Sequence, residues 1–208
     1  MRYEPLPREA VASVINGAGA ADRIPVLLHF WVHPPHFGER QAEVEALLAE
    51  YPQDVQLVGL RMPAIFEAPE DDPSYRWVCF DAPQQSSAGI DSQVAITDWS
   101  QLDEVLADFP SPEYPNLLAW TPEADGRYRL GHWWFCFFER HWSLRGMTNA
   151  LTDYYTDPDI VNRLFRALTD FYLRMMERAK AEGDLDGIIT SDAIGTQTGA
   201  FFSPALFT

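Results

Sequence analysis

The amino-acid sequence predicts an α/β protein with a parallel β-sheet, and two observations lead to this prediction. Several short apolar runs are nearly continuous, which is typical of strands that are covered on both faces. These runs also alternate with amphipathic helical patterns along the chain. The alternation alone favours a barrel over a doubly wound sheet only weakly.

The first part of the chain predicts a strand–helix–strand unit preceded by a short helix. The predicted elements are a helix over residues 7–16, a strand over 23–31, a helix over 39–51 and a strand over 55–60. In the second of these helices, Val44, Leu47 and Leu48 share one face, with charged residues around them. Pro52 follows this helix as a stop signal.

The same pattern returns after a less regular middle. The predicted elements are short strands at 75–80 and 93–96, a helix capped by Ser100, a buried strand that runs into a loop over 128–138, helices over 147–155 and 158–183, and a strand over 186–190. The longest helix is the best marked, because Asp157 and Pro158 form a start signal and Gly183 forms an end signal. We expect residues 1–208 to form a single domain.

Composition narrows the class of protein. Hydrophobic residues make up 47% of the chain, enough to bury a core, which excludes a disordered chain. The formal charge of −16 disfavours nucleic acid and anionic membranes as partners, since both would repel the surface. The sequence contains neither a run of about 18 apolar residues nor the apolar core of a signal peptide. We therefore expect a cytoplasmic protein in which Cys79 and Cys136 are reduced.

In an α/β fold, ligands meet the loops that follow the strands, and the first candidate site lies in such a place. In a strand, His29, Trp31 and His33 project to one face, where they would line a pocket for a small molecule. His29 and His33 lie about 13 Å apart along a strand, too far to share a metal ion. His36, in the following loop, is close enough in sequence to His33 for the two to bind one metal ion. The alternative is that these histidines are ordinary hydrogen-bonded residues at a strand end.

The second candidate site follows the aromatic run over residues 128–138. Glu139, Arg140 and His141 cluster where this run stops. They form either a surface salt bridge or an acid–base and anion-binding group at the mouth of a pocket. The aromatic residues before them, together with Cys136, have the composition of a buried core.

The third candidate site is the polar loop after the last predicted strand. Asp192 lies at the end of that strand, and Gly195 and Gly199 follow it. A carboxylate in this place often orients or activates a substrate. The alternative is that Asp192 only caps the turn that follows it.

The region from about residue 144 to 207 resembles the uroporphyrinogen decarboxylase superfamily. Members carry an Asp-Asp-x-Gly-x-Gln … Ser-Pro segment after a strand, and this chain matches it at Asp192, Gly195, Gln197, Ser203 and Pro204. Ala193 stands where a second Asp is frequent. The opening helix and the residues ADRIPV after it also resemble the start of the family.

The resemblance implies a (β/α)8 TIM barrel with its site at the carboxyl ends of the strands. With only four or five core strands in the predicted pattern, we expect an incomplete barrel that corresponds to the N-terminal part of the family fold. The barrel would then be completed by a second copy of the chain or by a partner chain. Zinc and a corrinoid are the cofactors that the resemblance implies, with zinc ligands expected beyond residue 208.

Two activities of this superfamily stay open, with a non-catalytic subunit as a third hypothesis. The chain has HFWVHPPHFGER where decarboxylases carry an arginine-rich segment that grips substrate carboxylates. This difference and the negative charge favour the branch of corrinoid- or thiol-dependent methyltransferases over the decarboxylases. The resulting prediction names Asp192 and His33 as catalytic residues. The predicted substrate-binding residues are His29, Trp31, Gln197, Glu139, Arg140 and His141.

Overall fold

The computed structural model describes residues 4–19, 21–27, 32–61, 94–107, 109, 111–113, 118 and 122–207. The helices in these ranges are α1 (Arg8–Ile15), α2 (Gln41–Glu50), α3 (Leu102–Ala107), α4 (Phe138–Arg145), α5 (Met147–Thr156) and α6 (Pro158–Gly183). The strands are β1 (Val55–Gly59), β2 (Tyr128–Trp133), β3 (Gly187–Thr190), β4 (Gly195–Thr196) and β5 (Gly199–Ala200). Short 3-10 helices cover Pro34–Arg40, Trp99–Gln101 and Pro204–Phe207.

The described strands form a parallel sheet in the order β1-β2-β3, with β2 at its centre. Val55 of β1 lies opposite Tyr128 of β2, and Leu130 of β2 lies opposite Gly187 of β3. The connection from β2 to β3 carries α4, α5 and α6, which gives the long helical crossover that parallel strands require. A small antiparallel hairpin of β4 and β5 follows β3.

Helix α6 covers one face of this sheet. Its apolar residues recur every three or four positions, as predicted, and the structure buries all of them: Val161, Leu164, Leu168, Phe171, Tyr172 and Met175. All of these except Val161 belong to one core cluster with Val58 and Trp133 of the sheet, and the Trp133 ring lies 5.4 Å from the ring of Tyr172. The predicted start at Pro158 and end at Gly183 are both confirmed.

A glycine in the central strand permits this close packing. A Cβ atom on Gly131 would lie 2.7 Å from Leu185 Cδ1 and 2.9 Å from Ile188 Cδ1. Contacts that short do not occur between real side chains, so a larger residue would push these neighbours away. Gly131 therefore lets the segment that leads into β3 lie directly against the sheet.

The opposite face of the sheet is covered at its amino end by α1 and the residues before it. Val11 of α1 packs against Tyr128, together with Leu6. Because side chains alternate along a strand, Tyr128, Leu130 and His132 share this face. Leu130 and His132 are only partly buried there.

Most predicted elements are confirmed, but the first predicted strand is not, and residues 94–96 of the strand predicted at 93–96 are not in a strand either. The chain has no regular secondary structure at residues 24–27, and residues 28–31 lie outside the described residues. Pro25 has no N–H group to give to a ladder, and the N–H group of Val26 donates to the Asp54 carboxylate at 2.7 Å. Val26 is therefore tied to Asp54, whose N–H group also donates to the carbonyl oxygen of Val26, and the described residues 24–27 form no strand.

Two further expectations are corrected by local geometry. The helix near residue 100 is capped by Asp98, which accepts the N–H group of Ser100 at 2.9 Å, so Ser100 is not the N-cap. Helix α2 forms as predicted, but Leu47 on its apolar face is 54% exposed within the described residues. The predicted strand at 75–80 and Cys79 lie outside the described residues.

The structure thus contains the parallel sheet and the helical crossover of the α/β prediction. The complete or partial (β/α)8 barrel stays a prediction. Within the described residues, none of the helices has the length and the apolar character that a membrane span needs.

Candidate functional site

The carboxyl ends of β2 and β3 bring together the segments that follow these strands. The Thr190 hydroxyl at the end of β3 donates to the carbonyl oxygen of Trp133 at the end of β2, at 3.0 Å. The same hydroxyl oxygen lies 2.5 Å from Cys136 Sγ. This is the edge at which parallel α/β sheets bind their ligands.

Asp192 holds the start of helix α4. Its Oδ2 accepts the N–H groups of Phe137 at 2.9 Å and Phe138 at 2.7 Å, and its Oδ1 accepts that of Glu139 at 2.8 Å. A carboxylate at this end also complements the helix dipole. The sequence left open whether Asp192 acts on a substrate or caps the turn after it. The structure shows a third role. Asp192 caps helix α4, which begins more than fifty residues earlier in the chain.

Glu139 lies in the first turn of α4, beside Asp192. The backbone N–H groups of Ala193 and Phe135 lie near enough to its carboxylate to lower its pKa, so the side chain is between the two segments that follow the strands. Partial burial raises the pKa of Glu139, and the negative charge of Asp192 raises it further. The side chain is therefore a carboxyl group that retains its proton more readily than an ordinary Glu does.

The backbone next to Glu139 is strained. Phe135 has a φ angle of +61°, which is unusual for a residue with a side chain. Its ring is 41% exposed, and the guanidinium carbon of Arg140 lies 6.0 Å from the ring centroid. Strain of this kind is concentrated at functional sites in proteins.

Cys136 is a protonated thiol in this arrangement. Because the Thr190 hydroxyl gives its only proton to Trp133, the S–H group of Cys136 must donate to Thr190 Oγ. Burial raises the pKa of Cys136, and Asp192 and Glu139 raise it further. This thiol is therefore not activated as a nucleophile.

Arg140 is buried, in contrast to the predicted position at a pocket mouth. Only 5% of its surface is exposed, and it hydrogen-bonds with the hydroxyl of Tyr172 on α6. Burial lowers the pKa of Arg140. The Tyr172 hydroxyl in turn donates to the carbonyl oxygen of Cys136. Arg140 thus joins α4 to α6 and the loop after β2.

His141 is also buried, with none of its surface exposed. Its Nε2 atom lies 3.1 Å from Asp153 Oδ2, and Asp153 forms an ion pair with Arg145. Glu139, Arg140 and His141 therefore do not form one cluster, although they are adjacent in sequence. Successive residues of a helix point in directions about 100° apart, and only Glu139 faces Asp192.

Three histidines lie on the other side of the same edge. His33 stacks edge-on with His36 at 5.3 Å between ring centroids, and it is close enough to His132 of β2 to affect it electrostatically. Burial lowers the pKa of His132, and His33 lowers it further. The sequence interpretation missed His132, although the alternation in YRLGHW places it at the end of a buried strand.

The remaining predicted residues are not tested as parts of a site. His29 and Trp31 lie outside the described residues. Gln197 lies in the exposed turn between β4 and β5. The zinc ion that the resemblance implies has no ligand set here, because no three His, Cys, Asp or Glu side chains are grouped around a common point in the described ranges.

Comparison of the chain with protein-family models, with curated proteins and with solved structures finds no match in any of the three.

Proposed function

We propose that this protein is an enzyme that carries out acid–base chemistry on a small molecule at the carboxyl ends of β2 and β3. One observation supports the proposal above all: His132 and Glu139 flank the end of one strand, and their surroundings shift their pKa values in opposite directions. Each shift favours the neutral form of its group, which is an imidazole that can accept a proton and a carboxylic acid that can donate one. His132 is the base in this proposal, and Glu139 is the acid.

Methyl transfer within the uroporphyrinogen decarboxylase superfamily is the reaction that best suits this pair. A thiol that accepts a methyl group loses its proton, which the His132 imidazole would take. The sulfur then forms a bond to the methyl carbon, and the atom that held the methyl group keeps the electron pair of the broken bond. A protonated Glu139 would neutralise that atom by giving it a proton.

The charges at the site favour methyl transfer over decarboxylation of a porphyrinogen. A tetrapyrrole that carries many carboxylates needs several cations around it. The described site instead carries the carboxyl groups of Glu139 and Asp192, and the guanidinium of Arg140 is buried against Tyr172. The charge of −16 would repel such a substrate before it arrives.

The test is an assay of the full chain for methyl transfer to a thiol, with methylcobalamin or a methylated small molecule as the donor. We expect His132→Gln and Glu139→Gln each to lower kcat at least a hundredfold. Glu43→Gln is the matched control for the glutamate variant, since Glu43 is an exposed glutamate on α2. Turnover that survives in both site variants, or none with any donor and thiol, would refute the proposal.

Two further outcomes decide between the alternatives. Release of carbon dioxide from uroporphyrinogen would show that the chain is a decarboxylase. The resemblance also implies that a second copy or a partner chain completes the barrel, and the mass of the protein in solution, measured alone and after mixing with lysate proteins, tests this.

A further inference from the structure

The carboxylate of Asp153 on α5 is the centre of a buried network that uses all of its acceptor positions. Arg145 donates to both of its oxygens, each at 2.9 Å. The indole N–H group of Trp99 donates to Oδ1 at 3.3 Å, and His141 Nε2 lies 3.1 Å from Oδ2. Arg145 also donates to the carbonyl oxygens of Ile96 and Thr97, each at 3.0 Å. The network joins α4, α5 and the segment before α3.

The chemistry of these partners fixes the tautomer of His141. An ionised carboxylate can only accept, so His141 Nε2 carries the proton that it donates to Asp153. Nδ1 is then an unprotonated nitrogen, and it has no hydrogen-bond partner among the described residues. The imidazole lies among three aromatic rings, with centroid distances of 5.3 Å to Tyr154, 5.7 Å to Trp99 and 6.0 Å to Phe165.

A second proton on the His141 imidazole would be energetically unfavourable in this arrangement. It would add a positive charge beside Arg145 in a site with no exposed surface, and Nδ1 would become a donor without an acceptor. Asp153 already balances Arg145, so it would have to balance two cations at once. The imidazole can take up that proton only when the site opens to water.

We propose that His141, Asp153 and Arg145 form an acid-sensitive latch. The latch holds the last turn of helix α4 against α5 at neutral pH and releases it when the pH falls. The latch and the Asp192 cap hold opposite ends of α4, since Arg145 lies in its last turn and Glu139 in its first. The release of α4 at its last turn does not depend on the proposed function. That this release also disrupts the acid–base site rests on the function proposed above.

The charged and titratable groups around His141 are consistent with this direction. Arg145 on α4 lowers the pKa of His141, and Asp153 on α5 raises it, but burial has the largest effect and lowers it overall. Tyr154 on α5 is a neutral phenol, because burial and the charges of Asp192 and Asp153 raise its pKa. From the segment before α3, Asp98 interacts with Arg145, and the contacts from Trp99 and from Phe165 of α6 carry no charge.

The latch is tested with urea unfolding of the full chain at pH values from 7.5 to 5. The unfolded chain binds a proton on His141 near pH 6.5, and the folded chain binds it only at lower pH. Below about pH 6.5 the unfolding equilibrium constant of the wild type should therefore rise up to tenfold more per pH unit than that of His141→Gln. The glutamine keeps a donor for Asp153 and does not titrate. His36→Gln should keep the wild-type slope.

A second measurement keeps the proposal testable if His141→Gln does not fold. NMR follows the imidazole signal of His141 together with amide exchange in the wild-type protein. The amide of Gly146 donates to Trp142 at the end of α4. We expect its protection factor, the intrinsic exchange rate divided by the measured one, to fall in the pH range in which His141 titrates. Parallel pH slopes in the first experiment, or titration with an unchanged protection factor in the second, would overturn the latch. Neither readout uses a substrate, so failure of the proposed function would not affect them.

Discussion

The charged residues at the two ends of the parallel sheet have different surroundings. At the amino end, each buried charge meets a partner of opposite charge or a full set of hydrogen bonds. At the carboxyl end, the carboxyl group of Glu139 lies near that of Asp192, and His132 lies near His33. The difference indicates that the amino end is arranged for stability, whereas the carboxyl end keeps unfavourable pairs that suit chemistry.

Asp54 shows how complete the arrangement is at the amino end. It has no exposed surface, and Arg23 donates to both of its oxygens, at 2.5 and 2.6 Å. The N–H groups of Leu6 and Val26 each donate to it at 2.7 Å. Burial raises the pKa of Asp54, but these donors outweigh it and bring the pKa to about 2. The residue thus ties two separate segments, one at Leu6 and one at residues 23–26, to the start of β1.

Arg129 and Asp186 form similar polar contacts at the amino ends of β2 and β3. Arg129 points away from α1 and donates to the carbonyl oxygen of Gly183 at the end of α6 and to Gln56 of β1. Asp186 accepts the N–H group of Arg129 at 2.8 Å and pairs with Arg8 at 2.7 Å. This end of the sheet is therefore joined to α1 and α6 by polar contacts that are all satisfied.

The largest expected effect comes from removing the amino-end carboxylate. Asp54→Ala leaves the partners of a fully buried charge without it, and we expect it to lower the free energy of unfolding by about 3 kcal/mol at pH 7. Because the folded-state pKa is low, this stabilisation is complete above pH 4 and is lost as the pH falls towards 2. Urea unfolding at pH 7 and pH 3 measures it, with the exposed Asp22→Ala as the control. Equal losses in the two variants would show that the amino end is not specially stabilised.

A smaller loss is expected at the carboxyl end, where the carboxylate of Asp192 stabilises the start of α4. Asp192→Ala removes three hydrogen bonds from the start of α4, and we expect a loss of about 2 kcal/mol. Asp192→Asn keeps one carbonyl oxygen and should lose about half as much. Amide exchange at Phe138 and Glu139 locates the effect. If exchange increases elsewhere and not there, Asp192 is not the cap.

The smallest effect has the opposite sign and separates the two ends most clearly. Glu139→Gln should raise the free energy of unfolding by about 0.5 kcal/mol at pH 7, because the ionised carboxylate is unfavourable beside Asp192. The raised pKa means that this gain decreases as the pH falls towards 4, where the wild-type side chain is protonated in both states. Glu43→Gln, on an exposed face of α2, should change little. If Glu139→Gln instead lowers the free energy of unfolding, the Glu139 carboxylate does not reduce stability at the carboxyl end.

The sequence predicted the elements whose signals are local. The long amphipathic spacing from Val161 to Met175 and the Asp157-Pro158 start signal identified α6 with both ends in place. The apolar runs at 55–60 and 186–190 identified two of the sheet strands. The run at 23–31 has the same composition, yet residues 24–27 are not a strand, because their polar contacts come from Asp54, about thirty residues away.

The candidate site was predicted in part, and the errors have one cause. The sequence identified Asp192 and Glu139, but it grouped Glu139 with Arg140 and His141 because they are neighbours in the chain. Helical geometry separates the three, and tertiary contacts give each a different partner: Asp192, Tyr172 and Asp153. His132 was missed because an aromatic strand gives no local sign of what meets its end.

The sequence by itself determined the helical and strand character of most segments, since hydrophobic period and capping depend on residues within a few positions of one another. It also determined the net charge, which limits the partners the surface attracts. Only the tertiary structure decided the pKa shifts of Glu139 and His132, the protonated state of Cys136 and the buried latch around His141. Each of these depends on burial and on charges brought together from distant parts of the chain, and no local pattern encodes such distances.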